Sequence, residues 1–233
     1  MWLSCGLLAG CLELEQTVTL QPDGAGVQTV RMAAREQLLA ELRRAAPAAR
    51  LGPASDPTAV FDAALVGREL QAAGLVLTSH DVTTADGTRR VELAASFRDF
   101  ATLRKSPLCG SAAEWELGPG PRAGTARLTL YPQGRQAWQE ARVRAEAMQD
   151  EPDPVAADFF AKRREQLAGL DVVVRFRVPG DVLVWTANME KTGDREVTAR
   201  VTAEEIATPR DLVRRLAPRF EVIFDARGCS FLD

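Results

Sequence analysis

Residues 12–20 read Leu-Glu-Leu-Glu-Gln-Thr-Val-Thr-Leu, and this stretch decides the fold class. Apolar and polar residues alternate along it, which is the period of a β-strand with one buried face. Asp23-Gly24 then marks a turn, and residues 26–33 continue as an extended segment. The pattern therefore predicts a β-hairpin. The residues of its first strand that face inward are Leu12, Leu14, Val18 and Leu20.

The same plan recurs along the chain. Segments 75–83 and 88–96 flank Ala85-Asp86-Gly87, and Asp-Gly between two strand-like runs is a strong hairpin signal. Further strands are predicted at 114–117, 125–131, 172–178, 181–186, 196–203 and 220–224. Helices are predicted at 35–45, from Asp56 onward, at 98–105, 134–149 and 154–168, and from Thr208 onward. Because the strands come as hairpins, the fold class is α+β: an antiparallel β-sheet with helices packed on one side.

The helical hairpin at 134–168 is the most distinctive segment, and it forms an insertion in the single α+β domain expected over residues 11–233. It has two interpretations. It packs on the sheet as an amphipathic hairpin, or it projects as a coiled arm that grips a partner. The exposure of Trp138 distinguishes the two. In the second case the partner surface comprises Trp138, Met148, Phe159 and Phe160.

Composition excludes some classes of protein. A formal net charge of -3 and a charged fraction of 26% are ordinary for a globular domain. No basic footprint indicates nucleic acid as a partner. The clusters Lys162-Arg163-Arg164 and Arg214-Arg215 lie on predicted helices and are interpreted as solvated faces. No apolar run of about 20 residues occurs in the sequence, so no transmembrane helix is predicted.

The N-terminus carries a short motif. Leu8-Ala9-Gly10-Cys11 ends an apolar run and resembles the lipobox of bacterial lipoproteins. In that family the cysteine thiol is acylated and the preceding peptide is removed. The resemblance implies lipid attachment at Cys11 and a signal-peptide-like segment over residues 1–10. It also implies a location in the cell envelope, with the membrane as partner through the N-terminal lipid on the extracytoplasmic side.

The motif departs from a full secretory signal. Only ten residues precede Cys11 and none is Lys or Arg, so the positive n-region is missing. A start codon upstream would supply it. The alternative is that Leu7–Leu14 begins an ordinary buried strand of a cytosolic protein.

The remaining cysteines follow from the lipobox interpretation. With Cys5 in the signal and Cys11 acylated, Cys109 and Cys229 remain as a pair in a compartment that permits disulfides. They form a disulfide or remain two buried free thiols. No CxxC motif occurs and His80 is the single histidine, so neither a metal site nor a cofactor is predicted.

No catalytic motif is present, and the chain is not expected to be an enzyme. His80 lies in a predicted strand, where Ser79 and Asp81 point to the opposite face and cannot form a triad with it directly. A structural role is therefore expected for His80. Glu13 and Glu15 share a strand face that the flanking alternation assigns to solvent.

A second resemblance combines both ends of the chain. The lipobox cysteine is followed by the alternating strand and a turn at Pro22-Asp23-Gly24. The C-terminal part of the chain contains Val178-Pro179-Gly180, then Asn188, and then a strand at 196–203. This order resembles LppM-like bacterial lipoprotein domains, relative to which 134–168 is an insertion. Such domains are similar to α/β sandwiches that can enclose a lipid or glycolipid. The resemblance implies a non-catalytic envelope lipoprotein that holds a lipid or other apolar ligand. The alternative function is a scaffold component that binds another envelope protein through the helical insertion.

Overall fold

A computed structural model describes residues 12–45, 59–148 and 154–232, and its strands form two sheets. The larger sheet has seven strands, numbered along the chain, which in sheet order are β3 (Val76–Ala85), β4 (Thr88–Phe97), β2 (Gly26–Arg35), β1 (Leu12–Leu20), β7 (Leu170–Arg177), β10 (Glu196–Thr202) and β9 (Glu190–Gly193). The smaller sheet has four, which are β5 (Glu114–Pro119), β6 (Thr125–Tyr131), β11 (Phe220–Asp225) and β8 (Val182–Trp185).

Helices alternate with the hairpins. They are α1 (Glu36–Ala45), α2 (Ala63–Ala72), α3 (Phe100–Leu103), α4 (Arg135–Ala147), α5 (Pro154–Gln166) and α6 (Pro209–Leu216). The α+β class predicted from the hairpin pattern is confirmed. The two helices predicted within 134–168 are also present, as α4 and α5.

The predicted hairpins form as expected. Strands β1 and β2 pair antiparallel from Leu12 opposite Ala34 to Leu20 opposite Gly26. Between β3 and β4, Asp86 has φ 51° and Gly87 has φ 68°. Positive φ at both central residues is what a tight two-residue turn requires, because it matches the right-handed twist of the flanking strands.

Three features differ from the sequence-based expectation. Strand β1 pairs parallel with β7, so one neighbouring pair of the sheet is not antiparallel. The short polar strand β9 was not predicted. The predicted helix start at Asp56 lies outside the described residues; within them α2 begins at Ala63, because the side chain of Asp62 accepts a hydrogen bond of 2.9 Å from the amide of Leu65.

The core lies between the two sheets, which pack face to face. Val18 and Leu20 are 1% and 3% exposed, as the alternation predicted, while Leu12 and Leu14 are partly buried against the same core. The rings of Trp115 on β5 and Phe176 on β7 join the layers, with centroids 5.7 Å apart. At the edge of the large sheet formed by β3, helix α2 packs beside that strand.

Helix α4 covers the outer face of the small sheet. Trp138 packs on Tyr131 of β6 with ring centroids 5.6 Å apart, and α4 also packs along α6. At the end of α4 the carbonyl of Met148 accepts a hydrogen bond of 2.5 Å from Arg210 of α6. The start of the insertion therefore packs on the body of the protein, and a cleft remains between α4 and α6.

Candidate functional site

The cleft between α4 and α6 has a volume of about 560 Å³. Helix α4 forms one wall, α6 and the segment 217–219 form the second, and the turn 186–188 after β8 forms the third. A volume of this size is typical of small-ligand sites. We call it the α4–α6 cleft.

Trp138 lies in the α4–α6 cleft between two guanidinium groups. Arg219 lies over its ring at 4.8 Å from the centroid, and Arg142 lies at 5.6 Å. Cations are attracted to the negative face of an indole ring, and this attraction fixes the arginine side chains in place. Trp138 is half-buried, so one part of it packs on the small sheet and another part faces the cleft.

Arginines outnumber carboxylates among the residues that line this cleft. Four arginines line it, Arg142, Arg214, Arg215 and Arg219, together with the two carboxylates Glu146 and Asp211. Asp211 is already engaged, because it forms a capping box with Thr208 at the start of α6. Among the residues that line the cleft, arginine therefore outnumbers carboxylate by four to two.

Three of these arginines have a carboxylate partner. The distances are 3.4 Å from Arg142 to Glu146, 3.6 Å from Arg215 to Glu205, and 3.9 Å from Arg219 to Glu221. For Arg214, no described carboxylate lies within 4.0 Å, and its side chain is exposed. Arg214 is thus the guanidinium most available to an anionic group that enters the cleft.

Strand β8 leads directly into the third wall of the cleft. It lies at the edge of the small sheet, and three successive side chains are exposed: Leu183 by 49%, Val184 by 54% and Trp185 by 37%. We call residues 183–185 the β8 strip. The arginine-lined cleft therefore adjoins three exposed apolar side chains.

A second arginine-rich region covers the outer face of the large sheet. Glu92, Arg31, Glu15, Arg175, Glu196 and Arg177 form a chain of contacts across β4, β2, β1, β7 and β10. We call it the ion-pair chain. Each arginine of the ion-pair chain has a glutamate within 4.0 Å, so the chain itself is balanced in charge. A groove of about 420 Å³ beside it is lined by five carboxylates and two arginines, and is therefore acidic.

A buried polar cluster occupies the inner face of the same sheet. The Sγ atom of Cys109 accepts hydrogen bonds from Gln16 at 2.9 Å, Gln28 at 3.0 Å and Trp115 at 3.2 Å. Ser106 donates to the Gln28 carbonyl oxygen at 2.5 Å, whereas that of Gln16 has no described partner. Burial raises the pKa of the Cys109 thiol, against the opposing effect of its three donors, so the thiol stays protonated and unreactive.

Comparison with solved structures gives a distant likeness. No family model matches the chain, and no curated protein matches it. The folded domain of LppM from Mycobacterium tuberculosis, solved by NMR, is similar in structure. It is 12% identical, the alignment covers 94% of this chain and 91% of that domain, and the TM-score is 0.48. At that level of similarity no function or ligand is transferred.

The predicted site residues are distributed over the molecule. Cys11 and the rest of the lipobox lie outside the described residues. Cys109 and Cys229 are unbridged, which corresponds to the alternative of two free thiols; Cys109 is buried, while Cys229 is only partly so. The ring of His80 contacts the carbonyl oxygen of Val60 at 2.9 Å, which is a structural role.

The four residues of the predicted partner surface have different surroundings. Trp138 belongs to the α4–α6 cleft, and the backbone of Met148 contacts α6. On α5, Phe159 is 57% exposed and Phe160 is partly buried. The structure therefore brings Trp138 into the candidate site and leaves Phe159 on the surface of the insertion.

The described ranges also contain neither a metal-binding group nor a membrane span. No set of three or more His, Cys, Asp or Glu side chains within them is arranged to hold a metal ion. No helix within them has the length and hydropathy needed to cross a bilayer.

Sequence reasoning missed most of the cleft. Arg214-Arg215 was interpreted as a solvated face, and Arg142 and Arg219 were not singled out. The available signal was arginine on the last turn of α6 followed within four residues by another, Arg219. The Cys109 cluster had a clearer signal, because Gln16 stands at an inward position of the alternating strand.

Proposed function

We propose that this chain is a membrane-anchored envelope protein without catalytic activity that binds an anionic ligand in the α4–α6 cleft. The observation that carries the proposal is Arg214, a lining arginine with no described carboxylate within 4.0 Å, in a cleft where two further arginines lie over the ring of Trp138. Guanidinium groups donate paired hydrogen bonds to carboxylates and phosphates, and an aromatic face in the same cleft suits the apolar part of an amphipathic ligand.

The anchor in this proposal is an acylated Cys11. Strand β1 begins at Leu12, the next residue, where it pairs with Ala34 and Leu170. A lipid on Cys11 would therefore hold this end of the large sheet close to the bilayer. Anchoring through two or more acyl chains is stable, at about 0.8 kcal/mol for each buried CH₂ group.

The arrangement favours an anionic ligand over a wholly apolar one. The space between the two sheets contains a continuous cluster of buried side chains. The cavities of about 560 Å³ and 420 Å³ lie at the surface, and charged side chains form a large part of the lining of each. An acyl chain requires an apolar lining, so a bound lipid would be held chiefly through its head group.

Mass spectrometry of the mature protein from a membrane fraction tests the anchor. The expected result is a chain that begins at an acylated Cys11 and lacks residues 1–10. An unmodified chain that retains Met1 and is found in the cytosolic fraction would contradict it.

Calorimetric titration tests the cleft, with hexaglutamate and vesicles of phosphatidylglycerol as anionic probes. Arg214→Glu should abolish binding of whichever probe binds, because it replaces the available guanidinium with a repelling charge. Arg144→Glu is the matched control, since Arg144 is exposed on α4 and does not line the cleft. Absence of binding to both probes, or equal loss in both variants, would refute the proposed site.

A second candidate function is a scaffold that binds another envelope protein through the insertion. Val143 on α4 is 62% exposed and Phe159 on α5 is 57% exposed, so each helix of the insertion presents a large apolar side chain to solvent. A photo-crosslinker at position 143 would capture one defined partner in membranes. The same probe at position 76, where Val76 is also 62% exposed, is the control.

A further inference from the structure

We propose that a small pocket on the outer face of the large sheet binds a neutral sugar residue through threonine hydroxyls. The pocket has a volume of about 150 Å³ and lies across β2, β1 and β7. It is lined by Glu15 and the three arginines of the ion-pair chain, together with Thr17, Thr19 and Thr29. We call it the threonine pocket. It goes beyond the proposed function, because it shares no lining residue with the α4–α6 cleft.

The pairing of β1 with its two neighbours builds the floor of this pocket. Successive side chains of a strand point to opposite faces, so Thr17 and Thr19 share the outer face with Glu15. Thr17 is directly opposite Thr29 of β2 on one side and Arg175 of β7 on the other. Cβ atoms of directly opposite residues in an antiparallel pair are about 5 Å apart, so Thr17 and Thr29 are close neighbours. The register therefore gathers hydroxyl groups at one point of a face that is otherwise rich in charge.

The hydroxyl of Thr17 is the observation that points to a ligand. Thr17 is only 8% exposed, yet its hydroxyl makes no hydrogen bond to any other described group. This hydroxyl is not sealed inside the protein, so it faces the space of the pocket. A polar group that is largely buried normally has a hydrogen-bond partner. The missing partner of Thr17 is therefore expected to come from a molecule that enters the pocket.

The charge balance of the pocket favours a neutral ligand over an anion. Each of the three arginines donates a hydrogen bond of 2.5–2.7 Å to a glutamate of the ion-pair chain, so no positive charge is left over. A guanidinium group has five N–H donors, and a paired arginine therefore still offers donors to an uncharged group. Glu15 lines the pocket as an acceptor and would repel an anion.

Sugar hydroxyls fit this set of donors and acceptors, because a hydroxyl donates one hydrogen bond and accepts two. Neighbouring hydroxyls of one ring can accept from an arginine, donate to Glu15 and exchange hydrogen bonds with Thr17. A water molecule occupies about 30 Å³, so the pocket holds the equivalent of about five waters and admits one edge of a sugar ring. The acidic groove of about 420 Å³ shares Glu15 and Arg31 with the pocket, and the rest of the ring extends into it.

Saturation-transfer NMR on the full chain tests the site, with glucose, galactose, mannose and N-acetylglucosamine as separate probes. At least one sugar should give a saturable signal. Thr17→Val should reduce its affinity at least tenfold, because valine has a similar shape but neither donates nor accepts a hydrogen bond. Thr202→Val is the matched control and should retain binding, since Thr202 lies on the same face of the sheet and does not line the pocket.

Urea denaturation separates lost binding from lost folding. Valine is favourable in a strand, and it replaces a hydroxyl that has no described partner. The urea midpoint of Thr17→Val should therefore be no lower than that of the parent. Thr19→Val is the second variant, and it should also weaken sugar binding, because Thr19 lines the same pocket and is more exposed than Thr17.

Failure of all four sugars to bind, or a signal that survives in both Thr17→Val and Thr19→Val, would overturn the proposal. Binding of sulfate without binding of any sugar would identify an anion site and would overturn it as well. Arg214→Glu should leave the sugar signal unchanged, since Arg214 lies in the other cavity. If Arg214→Glu abolishes the signal and Thr17→Val does not, the sugar binds in the α4–α6 cleft and the threonine pocket is not its site.

Discussion

The outer face of the large sheet and the α4–α6 cleft both concentrate arginine, but they differ in how the charge is balanced. On the sheet, Arg31 lies 2.7 Å from Glu92, and Arg175 lies 2.5 Å from Glu15. In the cleft, Arg214 has no described carboxylate within 4.0 Å. The difference teaches that arginine content does not identify a binding site. A region whose arginines are all paired within the chain contributes to stability, and a region that keeps an unpaired arginine can bind a ligand.

The inner face of the large sheet extends this comparison. Gln16, Gln28 and Trp115 all donate to Cys109, so these three buried donors are satisfied within the chain, while the carbonyl oxygen of Gln16 has no described partner. Substitutions in the sheet should therefore change the free energy of unfolding. Substitutions in the cleft should change binding and leave that free energy nearly constant.

The largest effect on stability is expected for Cys109→Val. Valine fills a similar volume but accepts no hydrogen bond, so three buried donors lose their acceptor. The free energy of unfolding should fall by about 3 kcal/mol, since each buried unsatisfied group costs about 1–3 kcal/mol and the structure relaxes in part. Urea denaturation measures it. Cys109→Ser keeps an acceptor and should lose about 1 kcal/mol; a valine variant as stable as the parent would show that the cluster does not stabilise the fold.

A smaller effect is expected for Arg175→Met in the ion-pair chain. The arginine and its partner Glu15 are 26% and 29% exposed, and the substitution leaves Glu15 with Arg31 alone, at 3.9 Å. The loss should be about 1–2 kcal/mol. Arg200→Met is the control, because Arg200 is 62% exposed and solvent screening makes its pair with Asp171 contribute little to stability. Equal losses in the two variants would show that the chain acts no differently from a surface pair.

The two regions also differ in what the sequence revealed. Alternation over residues 12–20 is a local signal, and it predicted the first hairpin and the inward side chains Val18 and Leu20. Asp86-Gly87 predicted the second hairpin in the same way. Parallel pairing of β1 with β7 joins residues about 160 positions apart, and no local pattern encodes it.

The cleft was beyond prediction for the same physical reason. Arg142 and Arg219 meet at Trp138 only after α4 has folded back on the small sheet, and neither residue is distinctive in the linear sequence. The polar cluster was within reach, because Gln16 interrupts the apolar register of its strand. Its partner Cys109 lies 93 residues away and could not be identified.

The variant Arg214→Ala tests whether the cleft affects ligand binding without affecting stability. Its exposed side chain has no described ion pair, so the free energy of unfolding should stay within about 0.5 kcal/mol of the parent. Affinity for an anionic probe that binds the cleft should fall about tenfold, or about 1.4 kcal/mol. Calorimetric titration and urea denaturation on one preparation measure both quantities. A loss of stability without a loss of affinity would reverse the distinction between the regions.

The smallest effect is a pH dependence of the ion-pair chain. The hydrogen bond from Arg31 holds the pKa of Glu92 below its ordinary value, because it favours the carboxylate. A lowered folded-state pKa contributes stability that is fully present above the unfolded value of about 4.3 and is lost as pH falls through the folded value. Both side chains are more than half exposed, so solvent screening keeps the contribution small.

The matched variant for this pH dependence is Arg31→Met. Its urea midpoint should fall less steeply than that of the parent between about pH 5 and pH 3, because the shift of Glu92 is removed. Parallel curves for the two proteins would mean that this pair makes no contribution.

The most direct test of anion binding in the α4–α6 cleft uses a nitrogen-15 NMR spectrum. It follows the indole N–H signals of the tryptophans. During titration with hexaglutamate, the Trp138 signal should shift saturably, while that of Trp115, which is 3% exposed in the core, should stay in place. The Trp138 shift should vanish in Arg214→Glu. An unmoved Trp138 signal, or a shift of the same size in that variant, would contradict binding in the α4–α6 cleft.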